Sequence, residues 1–172
     1  MRLNAYAMCC DEENIWFIPA GYSYLFKYSQ VSKKIEMVCQ LSENKECLLP
    51  YIEILRVKDF VICVPGDEKN IVIFNVKTRT LSELDLDTIF KEEEVNTVTD
   101  IFYFNLTIVY QTYIVFFGAS AECVLFYNIE NGEYIVDKDL YRVFSAYRVG
   151  TAALFRKDTA IIGSKIYIAS YV

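Results

Sequence analysis

A 24-residue pattern that recurs three times without a gap constrains this chain more than any other feature of it. Ile15 to Val38, Val61 to Leu84 and Ile114 to Asp137 align over their whole length, at offsets of 46 and 53 residues. In that register Pro19, Pro65 and Gly118 each end an apolar run. Tyr28, Phe74 and Tyr127 end a second run, and Ser29, Asn75 and Asn128 follow as the polar residues that open a turn. Ser32, Thr78 and Asn131 lie inside that turn, and Ile35, Leu81 and Tyr134 begin a third run. Short apolar runs rich in aromatic and β-branched residues, broken at regular intervals by turn residues, predict sheet.

One further apolar segment precedes each copy: Asn4 to Cys10, Tyr51 to Val57 and Asn105 to Tyr110. The polar connections between them and the repeat are too short for anything but antiparallel neighbours. Each unit therefore reads as a four-stranded meander of about 45 to 53 residues, the size and strand count of a propeller blade. A fourth unit begins with Asp158 to Ile162, turns at Gly163-Ser164, and continues through Lys165 to Val172. The expectation is an all-β chain, a β-propeller-type array of four-stranded antiparallel blades, incomplete at about three and a half blades. It forms one partial domain over residues 1–172, with blades near 3–41, 51–87, 104–140 and, incomplete, 157–172. Two insertions interrupt the pattern. Leu86 to Asn96 reads as one or two helical turns or an acidic loop, its run of three glutamates a solvated face. Leu140 to Leu154 carries Tyr141, Phe144 and Tyr147 at helix-like spacing, aromatics expected to pack onto the sheet.

The order of apolar run, small-residue break, loop, second run ending in an aromatic plus a polar residue, turn and final bulky residue resembles the Kelch-type propeller repeat. The resemblance covers nearly the whole chain. The family's Gly-Gly pair is replaced here by Pro19-Ala20, Pro65-Gly66 and Gly118-Ala119, and its late Trp by Ile35, Leu81 and Tyr134. WD40 signatures are missing. The chain is thus similar to a divergent Kelch-like propeller of a kind common in bacterial genomes. The resemblance implies an interaction platform, although some relatives are enzymes.

The residues exclude more chemistry than they supply. Histidine is absent, which removes the commonest general base, the usual partner of a Ser or Cys nucleophile and the commonest zinc ligand. An enzyme is therefore disfavoured, and no cofactor or metal is expected. Seventeen Lys and Arg against 23 Asp and Glu, with no basic stripe, argue against nucleic acid. Of the six cysteines none forms a C-x-x-C pair, so reduced, mostly buried thiols are expected. Asp85/Asp87 and Asp137/Asp139 are D-x-D pairs without a glycine-rich loop, and read as surface carboxylates rather than a calcium site. The sequon Asn105-Leu106-Thr107 falls in a predicted innermost strand, where a glycan has no room. Trp16 alternates with Phe17 in an apolar run and is assigned to the core. No secretory signal or membrane-length apolar run is visible, so a cytoplasmic location without membrane contact is expected.

The loops joining second and third strands are the candidate binding elements, because in a propeller such loops gather on one face. They are Ala20 to Ser23, Gly66 to Asn70 and Ala119 to Glu122, and they carry Tyr22, Asp67, Glu68, Lys69 and Glu122. A mixed polar and aromatic rim suits protein recognition. The expected function is a non-catalytic interaction or scaffold module that presents these loops to a protein partner. The alternative is a fragment of a sugar- or ester-processing propeller enzyme whose catalytic residues lie outside this chain. A homodimer that completes a ring is a further expectation, since an open array leaves strand edges and apolar faces uncovered.

Overall fold

The structure, a computed structural model, describes residues 5–43, 47–101, 103–145, 159–162 and 165–168, with backbone alone for Tyr6 and for the last two segments. It contains three four-stranded antiparallel sheets and one two-stranded sheet, each in sequential strand order. Sheet 1 is β1 (Ala5–Cys10), β2 (Asn14–Pro19), β3 (Tyr24–Ser29) and β4 (Ile35–Gln40). Sheet 2 is β5 (Tyr51–Val57), β6 (Phe60–Pro65), β7 (Asn70–Asn75) and β8 (Thr80–Asp85). Sheet 3 is β9 (Phe104–Tyr110), β10 (Tyr113–Gly118), β11 (Val124–Asn128) and β12 (Tyr134–Asp137). The last sheet pairs β13 (Thr159–Ile162) with β14 (Lys165–Ile168); the turn expected at Gly163-Ser164 lies outside the described residues. The chain divides into two compact units, Met1–Thr88 and Ile89–Val172.

The repeat seen in sequence is a repeat of backbone hydrogen bonds. At the turn after the third strand, Lys33, Arg79 and Gly132 occupy one register position and all have positive φ, at 57°, 57° and 76°. Their amides donate to Ser29 O, Asn75 O and Asn128 O at 2.9, 2.8 and 2.9 Å. The Asn75 and Asn128 side chains accept from amides two residues on, and Ser29 Oγ from one three residues on, so each polar turn residue closes its own turn. Gln30 N to Glu13 O, Val76 N to Asp59 O and Ile129 N to Thr112 O recur at the same offsets. A register irregularity also recurs where the first strand meets Pro19, Pro65 or Gly118. Gly118 has no alternative. A Cβ there would lie 1.8 Å from Ala121 O and 2.6 Å from Cys123 O.

Side-chain alternation gives each sheet a leading and a trailing face. In the first unit the leading face of sheet 1, with Trp16, Ile18 and Leu25, packs on the trailing face of sheet 2, with Val61, Cys63, Val72 and Phe74. β1 lies against β5, and the Trp16 and Phe74 rings meet at 6.3 Å. Each such side chain taken fully from water contributes about 1.5–3 kcal/mol before entropy is counted. A polar staple closes the seam. Asp11, in the β1–β2 turn, accepts from Trp16 Nε1 at 2.8 Å and from Arg56 Nε of β5 at 3.4 Å, while Arg56 also donates to Lys58 O.

In the second unit the leading face of sheet 3 meets a helix. Helix α2 (Lys138–Ser145) lays Tyr141, Leu140 and Phe144 over Leu106, Val115, Phe117, Val124 and Phe126, with Phe144 edge-on to Phe117 at 5.4 Å. The expected packing of Tyr141 and Phe144 is observed; Tyr147 lies outside the described residues. The insertion after β8 is helix α1 (Leu86–Glu92), whose Phe90 packs edge-on against Tyr103 and Phe104. Both D-x-D pairs mark helix starts. Asp85 accepts from Thr88 N and Oγ1 at 3.2 and 2.7 Å, and Asp137 from Leu140 N at 2.7 Å, as N-caps.

Candidate functional site

The predicted binding loops have pinned backbones, and the segment before β5 does the pinning in the first unit. β2 ends at Pro19, and the chain turns through Gly21 at φ 74°, with Tyr22 N donating to Pro19 O at 3.2 Å. Gly21 N then donates to Leu48 O at 3.2 Å. From the other loop, Gly66 N donates to Pro50 O and Asp67 N to Leu49 O, both at 2.9 Å, and Leu49 N returns a bond to Asp67 Oδ2 at 2.9 Å. Residues 48–50 are therefore a spine to which both loops are bonded. The second unit repeats the device, with Ala119 N on Tyr103 O at 2.7 Å at the position equivalent to Gly66 and Pro50.

Two apolar side chains stand out of this rigid end: Tyr22 is 57% exposed and Leu48 is 79% exposed. Beside them Glu68 is half-buried, and its Oε1 is out of contact with water and has no hydrogen-bond partner. A buried carboxylate oxygen left unmatched is costly. The arrangement can offer an apolar contact on a backbone already ordered, so little entropy is lost on binding. It shows no nucleophile paired with a base. Among the described residues no three His, Cys, Asp or Glu side chains converge as metal ligands would.

The five predicted residues separate by role. Tyr22 is exposed at this end and Glu68 keeps one buried, unmatched oxygen, whereas Asp67 is committed to the Leu49 amide. Lys69 forms an exposed ion pair with Asp87 at 2.8 Å. Glu122 belongs to the second unit, where its amide bonds Asn96 O at 2.8 Å and its Oε2 accepts from Asn96 Nδ2 at 3.1 Å. There it lines a shallow cleft of about 220 Å³ together with Lys138, Tyr141 and Arg142. Leu48 was not predicted. Its signal is the Leu48-Leu49-Pro50 run inside an otherwise polar connection, where one leucine must face outward for its neighbour to bond inward.

Two of the six cysteines, Cys63 and Cys123, are buried, Cys9, Cys39 and Cys47 are half-buried, and Cys10 is exposed. Burial drives the Cys9 thiol up to about 12 despite the nearby Arg56, drives Cys123 to about 12, and raises buried Cys63 as well. No helix among the described residues is long and apolar enough to cross a membrane.

No protein-family model matches the chain, and no curated protein matches it in sequence. Solved structures do match in fold. Streptogramin B lyase superposes with a TM-score of 0.57 at 10% identity over 77% of this chain and 40% of the lyase. An extracellular domain assigned to a one-component system of B. thetaiotaomicron gives 0.59 at 7% identity, over 95% of this chain and 19% of that one. A Bacteroides thetaiotaomicron VPI-5482 protein of unknown function gives 0.53 at 8% identity, over 78% and 31%. These are β-propeller-like proteins of four-stranded antiparallel sheets, and the chain has that fold. It spans less than half the length of each. Propellers of such different description show that the fold by itself selects no function.

Proposed function

We propose that this chain is a Kelch-like propeller module of bacterial, cytoplasmic type that binds a protein partner through the loop end of its first unit. The observation that carries the proposal is the exposed Tyr22 and Leu48 on two segments joined by the Gly21 N to Leu48 O bond. Aromatic anchors on rigid backbone dominate protein interfaces, and Tyr22 with Leu48 favours a partner segment that presents an apolar side chain. Cys63 and Cys123 are buried free thiols, which fits a reducing compartment, where buried cysteines behave as small hydrophobes.

The test is comparative capture from a bacterial extract with three baits: wild type, Tyr22→Ala with Leu48→Ser, and Val31→Ser. Val31 is equally exposed but sits in the β3–β4 turn, at the other end of sheet 1. A protein held by wild type and Val31→Ser and lost by the double variant is the expected result. Identical bound sets for all three baits would refute the site.

A further inference from the structure

Sheet 1 has one face packed against sheet 2 and one face that exposes large apolar side chains along both edge strands. Its trailing side carries two cross-strand rows, Met8–Phe17–Phe26–Met37 and Cys10–Ile15–Tyr28–Ile35, one residue per strand in each. Phe17 and Phe26 stack at 5.6 Å in the middle, where Phe17 is buried and Ile15, Phe26 and Tyr28 are half-buried, while Met8, Met37 and Ile35 are 60%, 59% and 53% exposed at the edges. Neither row contains a charged side chain. The charges within these strands are on the opposite side, where Lys27 lies over the Trp16 ring at 5.8 Å and pairs with Glu36 at 2.9 Å.

The equivalent trailing residues elsewhere are buried: Val61, Cys63, Val72 and Phe74 in sheet 2, and Ile114, Phe116, Leu125 and Tyr127 in sheet 3. Leading faces are taken as well. Sheet 1 uses its own against sheet 2, Ile62, Val64, Ile71 and Ile73 of sheet 2 are buried, and α2 occupies that of sheet 3. Among the described four-stranded sheets, a second copy of the chain thus offers one sheet face with exposed apolar edges, and it is the same trailing face.

We infer that two copies associate through this face, sheet 1 against sheet 1 about a two-fold axis. Four strands about 4.8 Å apart, each six residues long at about 3.3 Å per residue, make a face of roughly 400 Å² in outline. Two such faces amount to about 800 Å² in outline, below the roughly 1,200 Å² of standard specific interfaces, and the contact is therefore a weak, concentration-dependent one. Each chain carries a net charge of −6, and a contact free of charge lets two such chains meet without opposing like charges at its centre. Methionines at both edges adapt to the facing sheet. This pairing is back to back, trailing face on trailing face, and so differs from ring closure, in which a leading face meets a trailing face.

Sedimentation velocity on the full chain, from low to hundreds of micromolar, tests the inference. The mass should rise from 20.0 kDa toward about 40 kDa and stop there, as a closed two-fold contact requires. Met37→Lys on one edge strand and Met8→Lys on the other should each stay monomeric, with circular dichroism unchanged because both positions are exposed. A wild-type monomer at every concentration, a dimer that survives both substitutions, or a mass that grows past the dimer would each overturn it. So would a monomer whose Met8 and Met37 resist peroxide, which would show that the chain covers its own face.

Discussion

Replacing Asp11 by Asn probes the staple that joins the first two sheets, and its effect follows from one carboxylate. Burial acts to raise the Asp11 pKa, but hydrogen bonds from Trp16 Nε1, from the Glu13 and Asn14 amides and from the Asn14 side chain outweigh it, and hold it at about 2 against an ordinary 3.8. The side chain is 23% exposed, so solvent screens it only in part. At about 1.36 kcal/mol per pKa unit, this preference for the charged form is worth about 2 kcal/mol of stability at neutral pH. The native pKa is depressed, so the contribution is complete above about pH 4 and disappears as pH falls through about 2. Asn keeps the Oδ1 acceptor for the turn amides and loses the charge facing Arg56. Asp11→Asn should therefore be less stable than wild type by about 2 kcal/mol at pH 7, with the gap narrowing steadily below pH 4. Urea unfolding followed by the fluorescence of Trp16 reads this directly, since it is the single tryptophan and donates to Asp11 itself. A gap of equal size at pH 3 and pH 7, or none at pH 7, would refute the reasoning.

Two other substitutions test the repeat geometry. Gly118→Ala forces a Cβ into backbone oxygens at 1.8 and 2.6 Å, so the second unit should lose about 3 kcal/mol or more in urea unfolding, where an ordinary strand Gly→Ala would be neutral or better. Lys33→Gly should act in the opposite direction, stabilising the first unit by about 0.5–1 kcal/mol, because Lys33 holds φ at 57° and a glycine stands at the equivalent position 132. A thermal midpoint unchanged or lowered in Lys33→Gly would show that the turn carries no such strain.

The threefold register was legible because it is local. Strand ends at Pro19, Pro65 and Gly118, and turns opened by Ser29, Asn75 and Asn128, depend on residues a few positions apart, and period-two alternation depends on nothing further. From these alone the four-stranded antiparallel sheets and their order followed. The D-x-D pairs were harder, since an N-cap differs from a loop carboxylate only by the helix after it, and α1 and α2 are short and held by tertiary contacts through Phe90, Tyr141 and Phe144.

What only the tertiary structure decided is which face and which side chain remain available. Asp67, Glu68 and Lys69 are neighbours in sequence, yet one is spent on the Leu49 amide, one keeps an unmatched oxygen and one is paired with Asp87. Leu48 became part of the candidate site because residues 48–50 bond to two loops that are 45 residues apart in sequence, counting from Gly21 to Gly66. Likewise Trp16 and Phe17 are neighbours in one apolar run, and packing against sheet 2 takes the face that carries Trp16. Alternation determines that a strand has two faces; what each meets depends on residues far along the chain, and that is settled only when the sheets pack.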